Sequence, residues 1–113
     1  MNIQIFGTKK NFDSKKAERY FKERGIKYQF IDMKEKGMSK GEFQSVCQSL
    51  GGYEKLIDRE HTDKDLLVLL TYLAEEDRSD KLFENQQIIR IPIVRNGKQA
   101  TIGYQPEVWK GWQ

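Results

Sequence analysis

Two stretches at opposite ends of this chain carry strand chemistry, and what joins the strands differs between them. Near the start, Asn2–Phe6 alternates polar and apolar with β-branched isoleucines, and Tyr28–Ile31 reads as a second strand. The segment between them carries Ala17, Tyr20 and Phe21 at helical spacing, with Asp13 as a suitable N-cap and Gly25 at the left-handed C-cap. Strands joined through a helix run parallel, with a right-handed crossover. Near the end, Ile88–Ile91 and Ile93–Arg95 are apolar and β-branched, broken by Pro92. Asn96-Gly97 follows as a strong hairpin signal, since both residues take positive φ, and Lys98–Ile102 is the return strand. That second pair is antiparallel, so the chain predicts a mixed sheet. Pro106 suits the first turn of a last helix ending in Trp109 and Trp112.

The middle of the chain is helical. After a charged loop at Lys34–Met38, Ser39 and Glu42 form a capping box ahead of the apolar stripe Phe43, Val46, Cys47 and Leu50, and Gly51-Gly52 ends that helix. A short helix is expected through Lys55–Ile57. Asp63 can cap a longer one from Lys64 to about Glu75, whose leucines lie nearly all round it and predict burial. Asp77–Asn85 has room for another turn or two. The order β-α-β, several helices, β-β-α defines an α/β fold of thioredoxin-like arrangement with an inserted helical layer, one domain over residues 1–113. In that arrangement a proline at the head of the strand facing the first β–α loop is typically cis, so the Ile91–Pro92 bond is expected to be cis, otherwise a minority state.

Composition narrows the function. The chain has 113 residues, near the usual single-domain size of ~100–150. It is polar, with 33% charged residues, but 12% aromatics supply enough burial per residue to argue against disorder. One cysteine excludes an intramolecular disulfide, a Cys-x-x-Cys pair and a cysteine zinc cluster, and one histidine leaves little for a metal site. The net charge of +3 is dispersed along the chain, so no direct nucleic-acid contact is expected. The first six residues have no basic segment followed by an apolar core, and Leu66–Ala74 is far short of the ~20 residues a bilayer needs. The expectation is a cytoplasmic protein without membrane contact.

The stretch Ile3-Gln4-Ile5-Phe6-Gly7-Thr8-Lys9-Lys10-Asn11-Phe12-Asp13-Ser14, then Glu18-Arg19-Tyr20-Phe21 and Gly25-Ile26-Lys27-Tyr28, resembles the arsenate reductase (ArsC)/Spx family. So do Ile88-Ile89-Arg90-Ile91-Pro92-Ile93-Val94, Gly97-Lys98, Ile102-Gly103-Tyr104 and Glu107, while Gly51 to Gln87 matches in pattern only. The resemblance implies a thioredoxin-like core. Its enzymes reduce arsenate with a cysteine at the end of the first β–α loop. Its Spx-like members regulate transcription by binding RNA polymerase, often with a Cys-x-x-Cys switch in the same loop. Here the family cysteine falls on Asn11 and the second switch position on Ser14. An amide neither ionises near neutral pH nor forms a covalent sulfur intermediate, whereas the family chemistry needs a thiolate stabilised by a helix N-terminus and cations. The family arginine before the cis-proline falls on Ile91; Arg90 is one residue away, and in a strand it would face the other side. No arginine stands near Gly103 and Tyr104, and Arg59 sits in the region of the family's mid-chain arginine.

No catalytic residue is therefore expected. A residual anion pocket would use Lys9, Lys10, Asn11, Ser14, Arg59 and Pro92, helped by the outward N–H groups of the first helix; against it stands a plain solvated basic face that also includes Lys15 and Lys16. Cys47 reads as a small buried hydrophobe, and His61, between Glu60 and Thr62 with Asp58 and Asp63 near, as a loop histidine rather than a metal ligand. Trp109 and Trp112 share one helical face, for packing on the sheet or as a partner anchor. Two functions follow from the resemblance. One is a non-catalytic regulatory module, Spx-like, binding the C-terminal domain of the RNA polymerase α subunit and needing no cofactor. The other is an arsenate reductase-like oxidoreductase with glutathione or thioredoxin as reductant.

Overall fold

A computed structural model describes residues 1–112. Strand β1 (Ile3–Gly7) leads through helix α1 (Phe12–Glu23) to β2 (Tyr28–Asp32). Helices α2 (Lys40–Leu50), α3 (Lys64–Tyr72) and α4 (Glu75–Glu84) follow, then the hairpin β3 (Ile93–Asn96) and β4 (Gln99–Ile102), and α5 (Pro106–Lys110). Single 3-10 turns lie at Tyr53–Leu56 and Gln86–Ile88. The strands are ordered β2-β1-β3-β4, with β1 parallel to β2 and antiparallel to β3, and β3 antiparallel to β4. This is the mixed thioredoxin-like sheet that the connections require. Among the described residues no helix is long and apolar enough to cross a membrane.

Alternation along β1 divides the interior in two. Ile3 and Ile5 pack with Ala17, Tyr20 and Phe21 of α1, Val94, and Trp109 of α5. Phe6 packs on the opposite face with Phe43 and Val46 of α2, Leu70 of α3 and Leu82 of α4. So α1 and α5 cover one face of the sheet and the three middle helices the other. Gln4, also buried, faces α2 and is fully used: its amide donates to Glu42 at 2.9 Å and accepts from Arg95 at 2.6 Å. Burial alone would raise the Glu42 carboxyl, but hydrogen bonds from the Ser39 backbone and Gln4, with the Arg95 charge, hold it below its ordinary value. The same carboxylate closes the capping box with Ser39.

Several local expectations need correction. The N-cap of α1 is Asn11, not Asp13, which lies in the first turn. The hairpin turns on Gly97-Lys98 rather than Asn96-Gly97, because Asn96 still pairs with Gln99 and only Gly97 takes a positive φ. Ile88–Ile91 is not a strand; it contributes a single bridge, Ile89 with Ile57. Helix α3 stops at Tyr72, where Arg78 donates to the carbonyls of Thr71 and Leu73 at 2.8 Å each, and a new helix starts at Glu75. Only Leu70 of α3 is fully buried, against the expectation of burial all round. Trp112 lies past the end of α5.

Candidate functional site

The loop between β1 and α1 is built around a short hydrogen-bond circuit. Gly7 ends β1, and a Cβ there would run into the Ser14 side chain, so glycine lets the fully buried Ser14 sit beneath the loop. The Asn11 side-chain oxygen accepts from the Ser14 backbone N–H at 2.7 Å and from the Ser14 hydroxyl at 2.8 Å. That hydroxyl in turn accepts from the Thr8 N–H at 3.4 Å, and the Asn11 N–H donates to the Thr8 carbonyl at 3.3 Å. Asn11 is thus a helix cap whose acceptor is fully engaged.

The middle of the chain pairs, through three residues, with the segment that precedes Pro92. Ile57 bridges Ile89, the Arg90 N–H donates to the Leu56 carbonyl at 2.7 Å, and the Asp58 N–H donates to the Ile88 carbonyl at 2.8 Å. The Ile91–Pro92 bond is cis, as expected, and Pro92 is buried. A cavity of about 670 Å³ results, with Asn11, Asp13, Arg59, His61, Arg90 and Ile91 in its lining. A second cavity of about 650 Å³ also reaches Ile91 and is lined by Thr8, Lys34, Lys36 and Gln86 among others.

The first cavity is not a cationic pocket. Asp13, Glu54, Asp58 and Glu60 line it against Lys55, Arg59 and Arg90. At its rim Asp58 accepts from the N–H groups of Glu60 and His61 and lies 3.0 Å from the His61 ring nitrogen. Burial works against the Asp58 charge, but the His61 backbone and ring and the Glu60 N–H outweigh it and hold its carboxyl below the ordinary range.

Of the six residues expected to form an anion pocket, Asn11 and Arg59 line the cavity. Ser14 and Pro92 are buried, and Lys9 and Lys10 sit on an exposed turn outside its lining. Lys15 is exposed, and the Lys16 ammonium lies 4.3 Å from the Tyr104 ring centre and 5.5 Å from that of Phe12. Arg90 lines the cavity together with Ile91, contrary to the expectation that it faces away, because both precede β3, where strand alternation does not hold. Asp58, His61 and Arg90 are lining residues that the sequence reading gave no part in the pocket. No sequence pattern marks them, because the segments carrying them are joined by the single Ile57–Ile89 bridge.

Cys47 is half-buried in α2 against the opposite face of the sheet from α1, and burial pushes its thiol up to about 11. Asp63 does not approach His61 as a ligand; it caps α3 by accepting from the Asp65 N–H. Among the described residues no three His, Cys, Asp or Glu side chains gather as a metal site. Trp109 is buried, its indole donating to Thr101 at 2.9 Å, and Trp112 is partly buried against the same cluster.

The profile of the ArsC family matches residues 6–112. A Bacteroides fragilis protein described as ArsC family related superposes with a TM-score of 0.82 at 19% identity, covering 100% of this chain and 98% of its own. An arsenate reductase from Vibrio cholerae superposes with a TM-score of 0.78 at 25% identity, covering 96% and 94%. A Staphylococcus aureus protein superposes at 0.76 and 24% identity, covering 96% of each chain. No curated protein matches this chain.

Proposed function

The chain belongs to the ArsC family, and from that premise we propose that it is a non-catalytic member, working as a regulatory or interaction module. One observation carries the reading: the residue at the position of the family thiol, Asn11, spends its side-chain oxygen on capping α1 through Ser14. The one sulfur that could transfer electrons, on Cys47, sits on the opposite face of the sheet with its ionisation suppressed by burial. The mixed charge of the adjoining cavity also gives an oxyanion little net attraction.

By family resemblance the partner is the C-terminal domain of the RNA polymerase α subunit. Isothermal titration of the whole chain with that domain tests this, and saturable one-to-one binding is the expected result. Absence of binding removes this partner from the reading.

A second reading rests on Arg59 and Arg90, which line the cavity beside Asn11. Arginines there suit an arsenate reductase-like oxidoreductase using glutathione or thioredoxin. Arsenate turnover by the unmodified chain with either reductant would establish that reading and defeat the first.

A further inference from the structure

Helix α3 is apolar on two sides, and the fold uses one of them. Leu66, Leu67 and Leu70, with Leu73 just beyond, turn toward the middle-helix core. Asp65, Val68, Leu69 and Tyr72 follow the i, i+3, i+4, i+7 spacing and so share the other face. Val68 is 51% exposed, Leu69 45% and Tyr72 82%. A helix apolar all round is normally covered all round, and adjoining exposed apolar side chains of this kind mark interaction sites.

The charge around this face says what covers it. Residues 63–77 contain Asp63, Asp65, Glu75, Glu76 and Asp77 against Lys64 alone, a formal −4 in a chain whose net charge is +3. All five carboxylate residues are exposed. Arg78, next in line, is occupied with the carbonyls that end α3. Two copies of the chain meeting through this face would set like charges against each other. The nine-residue helix is also too short to supply the roughly 800 Å² per partner of a standard stable interface.

We propose that the Val68, Leu69 and Tyr72 face of α3 docks a basic amphipathic helix of a partner protein, whose apolar stripe covers these three side chains while its lysines and arginines meet the surrounding carboxylates. Such a segment presents apolar anchors at the same helical spacing. The inference stands apart from the regulator reading, since it uses neither Asn11 nor the cavity beside Pro92.

The experiment is an NMR titration of the isotopically labelled whole chain with an amphipathic Leu/Lys helical peptide, set against a Leu/Glu peptide of the same apolar pattern. The Leu/Lys peptide is expected to shift the amides of α3 and the start of α4, with binding that weakens as salt is added. Leu69→Lys is expected to weaken it by at least about tenfold, with an unchanged thermal melt. The double variant Glu75→Lys, Glu76→Lys is expected to erase the preference for the Leu/Lys peptide. Equal binding of both peptides, no binding of the Leu/Lys peptide, or shifts centred on α1 instead would overturn the proposal. So would sedimentation showing self-association of the unmodified chain that Leu69→Lys abolishes, because the face would then belong to a second copy.

Discussion

The two faces of the sheet are finished to different standards. On the α1 side, Trp109 is enclosed by Tyr20, Phe21 and Tyr104 with ring centres 5.1–5.6 Å away, and its indole N–H is satisfied by Thr101. The loop at the head of α1 closes on itself through Asn11, Ser14 and Thr8. On the other side α3 leaves Val68, Leu69 and Tyr72 in solvent. The loop around Asn11 is therefore held by its own contacts, and the open apolar surface lies across the sheet from it.

The contrast is broken most directly at its two aromatic ends. Trp109→Ala removes the centre of the α1-side cluster and is expected to cost about 3–5 kcal/mol. Tyr72→Ala removes an equally aromatic side chain that packs against little, and is expected to stay within about 0.5 kcal/mol. Urea denaturation of both variants measures the difference. Similar losses would mean that α3 is better packed than its exposure indicates.

Next in size is a difference between two thiols. Cys47, with its pKa pushed up to about 11 by burial, is expected to react with iodoacetamide at neutral pH about two orders of magnitude more slowly than an ordinary thiol near ~8.5. Its folded value is raised. The neutral thiol's contribution to stability is therefore present below ~8.5 and is lost as pH rises toward about 11. Asn11→Cys places a second thiol at the α1 N-terminus, where the Ser14 N–H and the helix dipole favour the anion. That thiol is expected to titrate below ~8.5 and to be alkylated first. If the two cysteines react at the same rate, the loop no longer favours an anion.

Gly7→Ala probes the loop by crowding the Ser14 hydroxyl at the centre of its hydrogen-bond circuit. The added methyl meets the Ser14 side chain, which is fully buried and cannot swing away, so a loss of about 1–3 kcal/mol is expected in the same denaturation assay. A neutral result would show that the loop can lift off α1.

How much of this was legible in the sequence follows from the range of the contacts involved. The strand directions and the Ser39–Glu42 capping box rest on neighbouring residues and can be read from spacing, whereas the cis bond at Pro92 follows only once the thioredoxin-like arrangement is assumed. The cap of α1 is Asn11 where the sequence points to Asp13, since both residue types cap well and only the position of the first helical turn decides between them. The cavity lining was harder. Arg59 and Arg90 are 31 positions apart and line one cavity because the Ile57–Ile89 bridge joins their segments, a single pair that leaves no periodic trace. For α3, leucines all round the helix were visible, but which side the core would claim depends on α2 and α4 and not on α3 itself.

The smallest expected effect bears most closely on Asn11. Asn11→Ala removes the acceptor that holds the Ser14 N–H and hydroxyl, and the ordinary cost of an N-cap deletion is about 1 kcal/mol. Asn11→Ser keeps a capping oxygen on a shorter side chain and is expected to recover most of that loss. A cost of this size, restored by serine, means that the residue now serves the helix rather than a ligand. If Asn11→Ala instead leaves stability unchanged while weakening binding to the RNA polymerase α domain, the amide belongs to an interface.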